Sequence, residues 1–266
     1  MAENLVKIFL DAGHGGKDPG ACNGKRKESE DVLKLVLAVG KELTNNYSNV
    51  KVGYSRKTET YESPSKKAQE ANDFGADYFL SFHRNSASAS AKGYETLVCS
   101  NTGWKKRIAS DFNDGFKSLG YKNRSTKIRT DLAVLNKTKM NAVLLEGGFI
   151  SNKSDNKLFD NKFDKMVDMI VEIIADNCGL KKKTVKTESS KFKAGNYHKT
   201  VVITKDNCPV RAKRASSSKK IAVLNKGEKI EVMYILANEF GNLWGSVELP
   251  NGEIGYIYMN NCKKVA

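Results

Sequence analysis

Histidine is scarce in this chain. Three occur in 266 residues, at positions 14, 83 and 198. Long apolar runs are missing too: no stretch of eighteen apolar residues exists, so no helix spanning a bilayer is expected. The opening MAENLVKIFLDAG offers only about six apolar positions before an Asp and a Gly, too short for a signal-peptide core, and it reads as a first strand. Synthesis in the cytoplasm is therefore expected, with any action outside needing an exit route that this stretch does not supply. The five cysteines, at 22, 99, 178, 208 and 262, are odd in number and form no CxxC pair. They make no disulfide framework and read as reduced, mostly buried thiols. There is no GxSxG, no Walker loop and no zinc-finger spacing, so nucleophilic-serine and nucleotide-binding readings lack support. Acids are outnumbered, 30 Asp and Glu against 45 Lys and Arg, for a net charge of +15. The excess is uneven: residues 181–266 hold 17 basic and 7 acidic residues, net +10, which leaves +5 for residues 1–180. A basic segment of this kind suits an anionic partner such as nucleic acid, a membrane surface or an acidic wall polymer.

What is present is a globular composition, 39% hydrophobic and 28% charged. Residues 1–180 alternate two kinds of pattern. VKIFLDA, NVKVGYSR, ADYFLSF, YETLVCS and NAVLLEGG are strand-like. Ser29 to Leu43 reads as a helix capped by Ser29 with acids in its first turn. Ser63-Pro64 opens another to about Phe74. Trp104, Ile108, Phe112, Phe116 and Leu119 mark a third, stopping at Gly120. Phe163, Met166, Val167, Ile170, Ile173 and Ile174 mark a fourth, ending near Gly179. The alternation predicts an α/β domain with a mostly parallel central sheet covered by helices on both faces. Residues 181–196 (KKKTVKTESSKFKAGN) read as a basic linker. Residues 197–266 carry short strand candidates with turn signals such as Asn251-Gly252, which predicts a small all-β barrel.

Two of the three histidines sit directly behind apolar runs. His14 follows KIFLDAG and His83 ends ADYFLSF, while Glu146 ends NAVLLE and Glu28 precedes the first helix. Open α/β sheets gather their sites at the carboxyl ends of the strands. Two imidazoles and one carboxylate make the ligand set of a catalytic zinc, with a position left for water, and a further carboxylate could move protons. Glu28 also has a plainer reading as a helix-dipole acid, shared with Glu30 and Asp31. A carboxylate at 146, behind AVLL and before Gly147-Gly148, is costly unless it is paired or beside a metal. His198 has no such company and reads as structural.

The blocks LDAGHGGKDPGA, KESEDVLKLVLAVGKEL, EANDFGADYFLSFHRNSAS and AVLLEGGFISN occur in order across residues 5–180. Together they resemble the zinc-dependent N-acetylmuramoyl-L-alanine amidases of the amidase-3 family. The resemblance implies an α/β fold with a mostly parallel sheet and one zinc per catalytic domain. It implies zinc ligands His14, Glu28 and His83, with Glu146 as general base and later proton donor. Arg84 and Asn85 match the family's H-x-N and are candidates for substrate contact. Gly147 stands where many members have Thr. CPVRAKRASSSKKIAVLNKGEKIEVM and LWGSVELPNGEIGYIYMNNC resemble a bacterial SH3-like (SH3b) wall-binding module. Pro209-Val210-Arg211 replaces its usual NVR, and Tyr256 stands in place of a Trp. Trp244, Tyr256 and Tyr258 are candidates for a wall-binding face or for barrel core.

The expected protein is therefore an endolysin-like peptidoglycan amidase. Residues 1–180 would form the zinc domain, 181–196 the linker and 197–266 the wall-binding domain. Its partners would be peptidoglycan and anionic wall polymers, with no nucleic acid, no membrane insertion and no obligate protein partner. It would reach the wall through a pore or after lysis. The rivals are a zinc peptidase cutting the stem peptide, an amidase of sporulation or mother-cell lysis, and a basic nucleic-acid binder.

Overall fold

A computed structural model describes residues 4–183 and 192–265. The chain divides into two compact units, Met1–Lys183 and Thr184–Ala266. The first opens with β1 (Val6–Ala12), then a hairpin of β2 (Cys22–Asn23) and β3 (Arg26–Lys27) that leads into α1 (Glu28–Asn46). There follow β4 (Val50–Tyr54), α2 (Pro64–Phe74), β5 (Tyr78–Asn85), β6 (Tyr94–Val98) and α3 (Gly103–Ser118). The unit continues with β7 (Asn123–Ile128), α4 (Ala133–Asn136), β8 (Asn141–Phe149), α5 (Lys153–Asn161) and α6 (Phe163–Cys178). Strand order in its sheet is β4-β1-β5-β8-β6-β7.

Neighbouring strands run parallel except at one junction, where β6 pairs antiparallel with β8. The sheet is therefore mostly parallel, as expected, and the one antiparallel junction makes it mixed. The reason is local: the chain passes from β5 to β6 with no helix between them, and a strand reached without a crossover helix runs back the other way. Edge strand β7 was not foreseen, because NRSTKI holds one apolar residue.

Both faces of the sheet are buried, which is why its central strands read as unbroken apolar runs. Ile8, Leu10, Leu80, Phe82, Val143 and Leu145 join the core beneath α1, α3 and α6. Phe9, Phe79, Ala142 and Leu144 alternate with them and pack with Ala71 of α2 and Leu135 of α4. Along this second face the residues turn polar toward the strand ends, to Asp11, Ser81, His83 and Glu146. The periodicity of 2 thus aims the chemistry onto one side.

Helix starts follow the expected physics at α2, where Ser63 Oγ accepts the Lys66 N–H at 3.3 Å ahead of Pro64. At α1 the reading is corrected: the helix begins at Glu28, and Ser29 is a buried second residue rather than a cap. Its N–H goes to Pro19 O at 3.1 Å. The unit also runs on past 180, since Ser48 N–H donates to Lys181 O and Lys183 N–H to Asn46 O.

The second unit is a seven-stranded antiparallel sheet in the order β11-β10-β14-β13-β12-β9-β15. Its strands are β9 (Gly195–Ile203), β10 (Cys208–Arg211), β11 (Lys220–Leu224), β12 (Lys229–Ala237), β13 (Leu243–Glu248), β14 (Ile254–Tyr258) and β15 (Cys262–Lys264). Val201, Val210, Val232, Ile235, Val247 and Ile257 form its core. Gly195 and Asn196, assigned to the linker by sequence, already belong to β9, and residues 184–191 of that linker lie outside the described residues. All five cysteines are free thiols, with Cys178, Cys208 and Cys262 buried. Among the described residues no helix is long and apolar enough to cross a membrane.

Candidate metal centre

His14 leaves the end of β1 in a tight loop. Its φ is +59°, and Gly15 and Gly16 continue at +124° and +58°. Two buried cations hold this loop from below. Arg56 donates from Nε to Ala12 O and from Nη2 to Gly13 O and Ser29 O. Lys67 donates to Ala12 O at 2.6 Å and His14 O at 3.3 Å, and it pairs with Asp11 at 3.0 Å. Burial pushes the Asp11 carboxyl up, but Lys67, His83 and the Ser81 and Ser55 hydroxyls outweigh it and hold it below its ordinary value.

Glu28 is brought back by the β2–β3 hairpin and is 3% exposed. Its Oε2 accepts the Ala21 N–H at 2.9 Å, and its Oε1 accepts the Arg84 N–H at 2.9 Å. The same Oε1 lies 3.1 Å from His14 Nε2 and 2.9 Å from His83 Nδ1. One ligand atom from each of His14, Glu28 and His83 falls within 4.8 Å of the others. Burial alone would push the Glu28 carboxyl up, but the two imidazoles hold it far below the carboxylate range. Burial disfavours a charged His14, yet Glu28 and Asp18 raise its pKa to about 9. The pocket stabilises positive charge at this point, whether a proton or a metal ion.

Three further observations fit a metal. His14 Nδ1 is held by Asp18 Oδ2 at 2.8 Å, which turns Nε2 toward Glu28, as outer carboxylates do for ligating histidines. A Cβ at Gly13 would lie 2.3 Å from His83 Cε1, and one at Gly20 would lie 2.7 Å from Glu28 Oε2. Glycine at both positions leaves His14, Glu28 and His83 room to converge. Two nitrogens and one oxygen are also a donor set that suits zinc.

Glu146 is the strand neighbour of His83 in register. Its Oε2 is shielded from solvent and has no hydrogen-bond partner among the described residues. Burial pushes its pKa up to about 7, against the pull of His83 and with the help of Glu28 and Glu95. A carboxyl with that value can take and return a proton near neutral pH.

His14, Glu28, His83 and Glu146 therefore meet. The Arg84 side chain instead lies buried, 2% exposed as a residue, bonded to Asp31 and over the Phe159 ring at 4.6 Å. Asn85 bonds locally, its Oδ1 accepting the Ser86 N–H. In the second unit Trp244 is 5% exposed, with its ring 5.4 Å from that of Tyr258. Tyr256 lines a cavity of about 360 Å³ with Lys213, Arg214, Asn238 and Glu239. Sequence reasoning missed Asp18, Arg56 and Lys67. Asp18 carried a usable signal, lying four residues after His14 within the GGKDPG turn.

The family described as N-acetylmuramoyl-L-alanine amidase matches residues 8–176. The endolysin of Bacillus phage SPP1 is 37% identical over 210 residues, 75% of this chain and 76% of that protein. The sporulation-specific N-acetylmuramoyl-L-alanine amidase of Bacillus subtilis is 36% identical over 165 residues, 60% of this chain and 62% of its own length. This chain thus spans under two thirds of that relative. The catalytic domain of CwlV, an N-acetylmuramoyl-L-alanine amidase from Bacillus (Paenibacillus) polymyxa var. colistinus, superposes with a TM-score of 0.61 at 28% identity. That match covers 66% of this chain and 100% of the domain. A mixed α/β sheet with His14, His83 and Glu146 toward its strand ends and Glu28 at the start of α1 is thereby given its class. The chain belongs to the N-acetylmuramoyl-L-alanine amidase family.

Proposed function

We propose that this chain is a peptidoglycan hydrolase that cleaves the amide between the lactyl group of N-acetylmuramic acid and L-alanine, and that it works as a zinc enzyme. The convergence of His14 Nε2, His83 Nδ1 and Glu28 Oε1, beside a buried Glu146 Oε2 with no hydrogen-bond partner among the described residues, carries this reading. His14, Glu28 and His83 would hold one zinc ion. Bound there, zinc supplies positive charge that polarises an amide carbonyl and makes water a stronger nucleophile. Glu146 accepts a proton from the attacking water as the new C–O bond forms. It returns that proton to the leaving nitrogen as the C–N bond breaks. The products are a carboxylic acid on the lactyl group and a free amino terminus on L-alanine. Asp18 keeps the His14 ring in register through the cycle, and the Arg56 and Lys67 clasp keeps its loop in place.

The second unit and its positive charge are read as a wall-binding module of SH3-like type, and the whole as an enzyme acting in the manner of an endolysin. Mass spectrometry of digested cell wall tests the bond. New L-alanine amino termini with intact glycan strands are expected. New amino termini within the stem or cross-bridge would make the enzyme a zinc peptidase instead.

A further inference from the structure

The side chains beside the metal centre form a row that continues across the sheet. His83 of β5 is opposite Glu146 of β8, and Glu146 is opposite Glu95 of β6. Beyond Glu95 lies β7, the edge strand, whose Arg124 Nε donates to Glu95 Oε1. The contact depends on an irregularity. Tyr94 pairs with Asn123 but Thr96 pairs with Thr126, so β7 carries an extra residue at this point, with Ser125 left-handed at φ +71°. Such a bulge re-aims a side chain, and here Arg124 lies with Glu95.

The guanidinium is fixed on two sides. Glu95 takes Nε, and the Phe149 ring lies 5.0 Å from its central carbon. Its side chain is 35% exposed, and among the described residues neither terminal nitrogen has a hydrogen-bond partner. Of the other arginines of this unit, Arg26 forks onto Asp160 and Arg129 onto Asp131, Arg56 and Arg84 are buried, and Arg107 lies on α3, away from the row, with its Nε donating to Asn177 Oδ1. Arg124 therefore presents a rigid, open pair of N–H donors at the end of the row, a geometry that matches a carboxylate.

We propose that the Arg124 fork is a subsite for the first free carboxylate on the peptide side of the scissile amide. The proposal rests on the amidase reading above. Strands lie about 4.8 Å apart, so β7 runs roughly 10 Å from Glu146. An extended peptide covers about 3.5 Å per residue, and an arginine side chain spans the rest. In peptidoglycan the carboxylate within that reach is the α-carboxyl of the second stem residue, a D-glutamate joined through its side chain. The charge argument agrees. Glu95 and Glu146, on the peptide side of the metal centre, would repel an anionic stem, and Arg124 offsets that repulsion where the stem passes. The subsite also fixes a direction: peptide toward β7, glycan toward the other side of the metal centre.

The test uses two soluble muropeptides, identical except that the α-carboxyl of the second residue is free in one and amidated in the other. The readout is the ratio of their kcat/KM values in the zinc-loaded full chain. The wild type should prefer the free carboxylate by about tenfold or more, the scale of a charge-assisted hydrogen bond. Arg124→Gln should bring the ratio close to one, mainly through KM, while still binding one zinc. Arg124→Lys should fall between. A wild-type ratio of one, or a ratio that Arg124→Gln leaves in place, overturns the subsite. Cleavage of neither muropeptide at the muramoyl amide by the wild type overturns the amidase reading and the subsite with it.

Discussion

Asp18 acts on the chemistry through another residue. Its 2.8 Å bond to His14 Nδ1 sets which nitrogen faces Glu28. Asp18→Ala should therefore weaken zinc binding by about 10- to 100-fold, the usual cost of losing an outer-sphere partner. Competition with a chelating dye measures it, and unchanged affinity would make the contact incidental. The two histidines behind apolar runs, and Glu146 behind AVLL, could be located from the sequence, because a polar residue at the end of a buried strand has few uses. Glu28 is a candidate from its place before the first helix, and only the family resemblance separates it from its acidic neighbours. Glu30 and Asp31 share its helical turn, and the choice among them depends on a hairpin whose two-residue strands carry no periodicity. Arg84 illustrates the converse, since its position beside His83 suggested substrate contact while the strand alternation turned its side chain inward against Asp31 and Phe159.

At the scale of elements, the support for the His14 loop comes from α2 and the end of β4. Lys67 and Asp11 are a buried pair, 3% and 1% exposed at the side chain. Lys67→Met would leave Asp11 charged and unpaired, which costs about 3–5 kcal/mol at neutral pH. The deficit should shrink with acid. Asp11 in the wild type has its carboxyl held below the ordinary value, so its stabilisation is complete above that value and is lost as pH falls through the folded one. In the variant, protonation instead removes the unpaired charge. Urea unfolding of both proteins at neutral and at mildly acidic pH checks this, and a deficit independent of pH would contradict the pairing. Helices α2, α3 and α6 could be read from their caps and apolar spacing. Edge strand β7 could not, because its pattern of exposed and partly buried residues holds a single apolar side chain, Ile128. The antiparallel turn of β6 was foreshadowed only by a missing crossover helix.

At the scale of the whole molecule, the denser positive charge and the four site residues fall in different units: residues 184–266 carry net +7 over 83 residues, against +8 over the 183 residues that hold the site. A fragment ending at Lys183 should fold, cut the same bond and bind walls less well. Wall binding by the full chain should fall as salt rises from about 50 to about 500 mM, because screening weakens attraction between exposed charges. A pull-down with purified walls reads both effects, and binding that is equal in the two proteins and indifferent to salt would remove the role given to the basic unit. The central claim is that three residues hold the metal and a fourth moves the proton. Metal content and wall clearing of Glu146→Gln beside the wild type test it most directly. One zinc in each protein, with clearing slowed about 100-fold or more in the variant, is the predicted result. A variant that has lost its zinc, or one that clears walls like the wild type, would contradict it.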